Sequence, residues 1–275
     1  MTTETGGVRG LIRAFVHPPP APVSRVDDPR ERRAIVVELV LVGVLTFGFS
    51  AVYAALSLLE HAMTTGVSGT TVALNPAAST VAVIDLIRQV MSVVRLLAIG
   101  GLGAYLLWRS GIGLRRIGLG RPSRADLPPS VGLAAVIGLP GLALVAVSQA
   151  MGWNSGLAVA PADDLWWRIP VLVLKSFGNG FAEEVVVVGY FMTRLRQLGS
   201  GPTGALAWSA FLRGGYHLYQ GAGAGAGNLI MGLVYGRWYQ ATNRIWPLVF
   251  AHTLIDTVAF VGYAVLVRAG LIGVA

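Results

Sequence analysis

The sequence predicts an all-α, polytopic integral membrane protein with about seven transmembrane helices. Of its 275 residues, 54% are hydrophobic and only 12% are charged, whereas a soluble domain carries about 25% charged residues. The apolar residues fall in separate runs, and the first run is long enough to cross a hydrocarbon core of about 30 Å. The basic residues form short clusters between these runs. These observations are typical of a chain that crosses a bilayer several times.

The apolar runs set the predicted spans and the division of the chain. Residues 1–30 are expected to form a flexible cytoplasmic tail, residues 31–160 an N-terminal region of three spans, and residues 161–275 a core of four spans. The spans are predicted at about residues 34–59, 81–108, 130–150, 165–192, 203–219, 226–241 and 245–268. Glu38 lies near the basic end of the first span, so its side chain is expected to reach the membrane interface.

The distribution of charge predicts the orientation of the spans. Basic clusters precede the first span and separate spans two and three, four and five, and six and seven, whereas loops 60–79, 151–164 and 220–227 contain no Lys or Arg. The positive-inside rule then predicts a multi-pass protein of the cell membrane with a cytoplasmic N-terminus. The net charge of +8 is assigned to this topology and not to a nucleic-acid partner. The absence of cysteine excludes disulfides, thiolate nucleophiles and Cys-ligated metals.

Ionisable residues inside the apolar runs are the candidates for function, because a charge at the centre of a membrane helix costs about 2.5–3.5 kcal/mol or more. Glu183 and Glu184 stand side by side in the fourth span, and His217 lies near the end of the fifth. In the seventh span, His252 and Asp256 are one helical turn apart, so the carboxylate is expected to orient the imidazole. We expect these five catalytic candidates to converge on one buried polar pocket.

Two hydrolytic mechanisms suit these residues. Glu183 is the candidate general base for a water molecule, while His217 and His252 position the water or stabilise the oxyanion. The same residue types also suit a divalent metal such as zinc, which binds His and carboxylate and keeps one position for water. Its ligands would then be Glu183, His217, His252 and Asp256. The HExxH zinc motif is absent, and the residues do not separate the two mechanisms.

Three short motifs, in this order, resemble a known family. Glu183-Glu184, residues 216–221 (YHLYQG) and residues 251–256 (AHTLID) are similar to the motifs of CPBP intramembrane proteases. These proteases are related to type II CAAX prenyl endopeptidases and to bacteriocin-processing and immunity proteins. The resemblance covers roughly residues 165–265. It implies an endopeptidase that cleaves a membrane-associated or CAAX-like substrate, with Glu183 activating water and the two histidines and the aspartate completing the active site.

The sequence departs from the family pattern at two positions. The arginine of EExxxR is replaced by Val188, and the phenylalanine of FxxxH is replaced by Arg213. Because an unpaired buried charge costs several kcal/mol, we predict that Arg213 reaches across to neutralise Glu184. Asn228, in the sixth span, is expected to make a helix–helix hydrogen bond or to support the pocket.

Other polar residues in the spans allow two interpretations each. Asp85, Arg88 and Arg95 share one face of the second span, which indicates either an ion-paired helix end or a polar stripe that faces substrate. Lys175 either reaches the interface or serves as a second counter-charge for the glutamates. The glycines of residues 221–227 and of the sixth span favour close helix packing over a phosphate site.

Two other functions remain as alternatives to hydrolysis. A non-catalytic binding or immunity protein of the same family would tolerate the loss of the arginine at position 188. A proton-coupled transporter would use the Glu, His and Asp side chains as a relay, although the chain has no visible internal repeat. The identity of the substrate and the oligomeric state are left open.

Overall fold

The computed structural model describes residues 8–64, 66–159 and 165–262 and is mostly helical, as predicted. The α-helices are α1 (Val8–Val16), α2 (Pro29–Gly43), α3 (Phe49–Met63), α4 (Ala82–Arg109), α5 (Leu127–Ala150), α6 (Arg168–Glu183), α7 (Phe191–Gln197), α8 (Pro202–Tyr216), α9 (Ala222–Thr242) and α10 (Trp246–Thr257). Segments of π-helix join α2 to α3 (Val44–Gly48), join α6 to α7 (Glu184–Tyr190) and follow α10 (Val258–Gly262).

Among the described residues, three helices are long and apolar enough to cross a membrane. They are Pro29–Met63, Ala82–Arg109 and Arg124–Ala150, and they coincide with the three spans predicted for the N-terminal region. Trp246–Gly262 is a shorter apolar helix, and the rest of the last predicted span, from residue 263, lies outside the described residues. The protein is therefore a membrane protein, while the total of seven spans remains a prediction.

Local sequence signals account for the ends of several helices. The side chain of Asp28 accepts hydrogen bonds from the first amides of α2, and Pro29 occupies the first helical position. Before α5, Ser123 and Asp126 form a reciprocal capping box. Helix α9 ends at Thr242, and its C-cap residue Asn243 adopts a left-handed conformation with φ of 50°. These caps satisfy backbone groups that would otherwise lack partners at the membrane surface.

The predicted flexible tail contains a helix, α1, within the described residues. Arg9 and Arg13 are four residues apart and share one face of this helix, whereas the residues between them are mainly apolar. This separation favours an amphipathic helix. The predicted tail therefore includes a helix at Val8–Val16, and its flexibility stays a prediction.

The loops segregate onto two faces according to their charge. On one face, strands β1 (Thr71–Leu74) and β2 (Gly156–Val159) form a parallel pair that the sequence did not predict, and Asn154 bridges Gly221. These segments come from the three loops without Lys or Arg. On the opposite face, the basic segments meet, because Arg116 donates to the carbonyl of Pro22 and accepts from Asn243 through its own carbonyl. The structure thus groups the loops as the charge pattern predicts.

Two buried ion pairs attach the N-terminal spans to the core. Arg194 of α7 lies 2.7 Å from Glu38 of α2, which also accepts a hydrogen bond from Tyr190 at 2.8 Å. Asp85 of α4 lies 2.9 Å from Arg168 of α6. Glu38 thus supplies the counter-charge that the buried Arg194 requires, while its own side chain is 25% exposed. Its position at the membrane interface stays a prediction.

The remaining polar residues of the second span form a helix end and not a continuous stripe. Arg88 donates to the carbonyl of Ala78 at 2.6 Å, and Arg95 is exposed. Lys175 of α6 donates to Gln89 of α4 at 3.4 Å. Lys175 therefore contacts the second span and is not the counter-charge of the glutamates.

Glycines bring α8 and α9 into close contact, as the small-residue pattern predicted. A Cβ at Gly232 would lie 2.8 Å from the Cα of Ala210 and 3.4 Å from the Cδ of Arg213. A Cβ at Gly214 would lie 2.9 Å from the carbonyl oxygen of Gly225. Because Gly232 has no side chain, the side chain of Arg213 has room beside α9.

Candidate active site

The two glutamates lie in the middle of a long helix, where its winding changes. Helix α6 ends at Glu183, and the next seven residues, Glu184–Tyr190, are π-helical before α7 begins. A π-helical segment is rare and is frequently found at functional sites. Glu183 is 5% exposed and Glu184 is fully buried, so both carboxylates require partners inside the protein.

Arg213 of α8 supplies positive charge to the glutamate pair. Its Nη2 donates to Glu184 Oε1 at 2.7 Å, and its Nη1 lies 3.6 Å from Glu183 Oε2. The guanidinium is fully buried, and so is Val188, where the family pattern has an arginine. The ion pair that the sequence predicted between Arg213 and Glu184 is therefore present.

His252 enters the cluster from α10 and lies between two carboxylates. Its Nδ1 hydrogen-bonds Glu184 Oε1 at 2.7 Å, and its Nε2 lies 3.6 Å from Asp256 Oδ1. Glu184 thus orients the imidazole more closely than Asp256, which the sequence favoured because of its spacing. Asp256 accepts a hydrogen bond of 3.1 Å from Asn179 of α6, which links α10 to the helix that carries the glutamates.

His217 lies at the end of α8, where it is partly buried. Its Nδ1 is 3.0 Å from the carbonyl oxygen of Arg213. Since a carbonyl only accepts, Nδ1 carries the proton of this contact, and Nε2 is the acceptor nitrogen of the neutral ring. His217 and His252 both lie within electrostatic range of Glu183. The structure therefore brings all five catalytic candidates into one neighbourhood.

Sequence reasoning missed two residues of this cluster. Asn179 precedes Glu183 by four residues, so it shares the same helix face, and that spacing could have revealed it. Tyr216 is adjacent to His217, and its hydroxyl donates to Glu183 Oε2 at 2.6 Å. The Tyr216 ring stacks on Phe47 of the first predicted span, with ring centroids 4.8 Å apart. A residue from the N-terminal region thus supports a hydrogen bond to the candidate base.

Replacement of Tyr216 by phenylalanine is expected to lower the turnover of a cleavable peptide about tenfold, because a hydrogen bond to a charged group contributes about 1.5–3 kcal/mol. The ring and its stacking on Phe47 are kept, so the thermal unfolding midpoint should fall by no more than the loss of this one hydrogen bond accounts for. Tyr219→Phe is the matched control, since its hydroxyl accepts from Gln220 and not from the cluster. Equal turnover in the two variants would contradict a positioning role for Tyr216.

Asn228 does not make the helix–helix hydrogen bond that the sequence suggested. Its side-chain amide donates to the carbonyl of Ala224, one turn earlier in the same helix, at 3.1 Å. The amide is thus satisfied locally, as is common for a polar side chain in an apolar helix. A supporting role for Asn228 at the pocket stays a prediction.

The described residues do not fit the metal site that the sequence left open. Within residues 8–64, 66–159 and 165–262, no three His, Asp or Glu side chains are placed to hold one metal ion. Two of the candidate ligand side chains also use an atom on a protein partner, because Glu183 Oε2 accepts from Tyr216 and His252 Nδ1 contacts Glu184.

Comparison with known proteins identifies the segment that holds this cluster. Residues 165–258 match the family described as type II CAAX prenyl endopeptidase Rce1-like. The matched segment contains both glutamates, both histidines and Asp256. No curated protein and no solved structure matches the chain. The five candidate residues thus all lie within residues 165–258, the part of the chain that matches the type II CAAX prenyl endopeptidase Rce1-like family.

Proposed function

We propose that the protein is an intramembrane endopeptidase that hydrolyses a peptide bond in a membrane-associated or CAAX-like substrate. One observation supports this most directly: helices α6, α8 and α10 bring two glutamates, two histidines and an aspartate together at one site. The match to an endopeptidase family adds independent support. The segregation of basic loops supports a cell-membrane protein with its N-terminus in the cytoplasm.

Glu183 acts as the general base in the proposed reaction. It accepts a proton from a water molecule while the water oxygen bonds to the carbonyl carbon of the scissile peptide. When the carbon–nitrogen bond then breaks, the proton passes from Glu183 to the leaving amine. Tyr216 holds one oxygen of this carboxylate, which fixes its direction during both transfers.

The histidines and Glu184 serve the same reaction in different ways. His217 positions the water through Nε2, because its Nδ1 is directed at the carbonyl of Arg213. His252 stabilises the oxyanion, and Glu184 and Asp256 hold its ring in place. Glu184 itself is fully buried and bonded to Arg213, so it orients its neighbours and does not attack substrate.

A comparison of peptide termini in membranes tests the proposal. Cells that express the wild-type chain are compared with cells that express Glu183→Gln, and new termini specific to the wild type are expected. Glu60→Gln is the matched control, because Glu60 is an exposed residue near the end of α3. If the two glutamine variants give the same termini as the wild type, the endopeptidase proposal is wrong and a binding role is favoured.

A further inference from the structure

A second polar site lies on the basic face, formed by the α4–α5 loop and the α9–α10 turn. These segments border an open cavity of about 330 Å³. Its lining residues are Arg115, Gly118, Gly120, Arg121, Asn243 and Arg244. None of them belongs to the candidate active site. The lining contains three arginines and no carboxylate, which indicates an anionic ligand.

The cavity is built by specific contacts between the two segments. The amide of Ile245 donates to the carbonyl of Gly118, and the indole of Trp246 donates to the carbonyl of Gly120. Gly118 has a φ of +75°, and a Cβ there would lie 2.1 Å from the carbonyl oxygen of Asn243. Only glycine allows this approach, so the backbone that borders the cavity is fixed by the fold.

The three arginines are not equivalent. Arg244 is held by Asp126, a buried residue that accepts from its Nε at 3.0 Å and from its Nη2. The Asp126 carboxylate, which is not among the lining residues, neutralises the charge of Arg244. Arg115 and Arg121 are exposed, and neither has an ion pair among the described residues. The cavity therefore offers about two uncompensated positive charges to a ligand.

The size and position of the cavity favour one type of anion. Its volume is sufficient for a phosphate ester together with part of a polar headgroup. The loop that borders it connects α4 and α5, two helices that are long and apolar enough to cross a membrane. Basic pockets at such positions bind the headgroups of anionic lipids. Arginine also suits this ligand, since its planar fork matches phosphate oxygens.

We propose that this cavity binds the phosphate of an anionic phospholipid headgroup through Arg115 and Arg121. Arg244 forms its fixed wall, and Asn243, whose side-chain amide donates to the carbonyl of Arg116, holds the turn in place. The site is separate from peptide hydrolysis, so binding is expected in a protein whose Glu183 is replaced by Gln.

Binding of phosphatidylglycerol to the purified full-length chain in detergent, followed by native mass spectrometry, tests this site. Arg115→Gln with Arg121→Gln is expected to weaken binding about thirtyfold, because each arginine near an anionic lipid contributes about 1 kcal/mol. Arg109→Gln with Arg124→Gln is the control: it removes the same charge from exposed positions outside the lining. The control should change binding by less than threefold, or by about 0.7 kcal/mol at most.

Two further measurements are needed. One tests whether a lipid headgroup or free phosphate is the ligand, and the other tests whether the glutamine substitutions act through lost charge or through misfolding. Arg115→Lys with Arg121→Lys keeps the charge and should retain part of the affinity, whereas phosphatidylcholine and inorganic phosphate should compete weakly. Equal losses in the glutamine pair and the control pair would overturn the cavity as the site. Full competition by inorganic phosphate would overturn the lipid as its ligand.

Discussion

Arg213→Phe is expected to destabilise the protein by about 3–5 kcal/mol, the usual cost of removing one partner from a buried ion pair. Glu184 would keep its hydrogen bond to His252 but would lose its 2.7 Å contact with the guanidinium. Glu183 would lose the positive charge 3.6 Å away. The measurement is the thermal unfolding midpoint of the purified protein in detergent.

Adding Val188→Arg to Arg213→Phe is expected to restore about half of this loss. The double variant has the family pattern at both positions, with an arginine four residues after Glu184 and a phenylalanine four residues before His217. Val188 is fully buried on the segment that carries Glu184. An arginine side chain at position 188 would therefore begin near the Glu184 carboxylate. If the single and double variants unfold at the same midpoint, the exchange of the arginine between α8 and the π-helical segment is disproved.

Glu183→Gln is expected to lower the rate of peptide cleavage by a factor of about 10² to 10⁴, the contribution of a positioned general base. Glutamine keeps the shape of the side chain and can still hydrogen-bond Tyr216, but it cannot accept a proton from water. The turnover number should therefore fall while the binding of substrate changes little. The rate is measured on a peptide that contains a cleavage site found by the comparison of termini.

Two controls separate the chemistry of Glu183 from its structural role. The unfolding midpoint of Glu183→Gln should lie close to that of the wild type, because Arg213 keeps its main partner, Glu184. Glu60→Gln should cleave at the wild-type rate. Cleavage by Glu183→Gln at more than one tenth of the wild-type rate would exclude Glu183 as the base.

The sequence predicted the helices and the main ion pair because both leave local signals. Long apolar runs must form helices in a bilayer. The loss of the family's arginine at Val188 and the gain of Arg213 one turn before His217 indicated the pair with Glu184. The contact between His252 and Glu184 was missed, because spacing along α10 reveals only Asp256. Contacts between distant helices depend on tertiary packing, which one sequence does not encode locally.

Other features of the structure left no recognisable pattern in the sequence. The paired strands Thr71–Leu74 and Gly156–Val159 are only four residues each and lie in loops. The role of Tyr216 depends on its distance from Glu183 and not on its neighbours in the chain. Asn228 resembled a helix–helix contact, but a local carbonyl satisfies its amide equally well.

The two ion pairs between the N-terminal spans and the core affect how a shortened form of the protein would fold. Arg194 and Arg168 lie inside the matched segment, whereas their partners Glu38 and Asp85 lie before it. A fragment cut at the start of the match would lack both of these carboxylates. The matched segment is thus not expected to fold normally alone, because the preceding helices supply negative charges that its buried arginines contact.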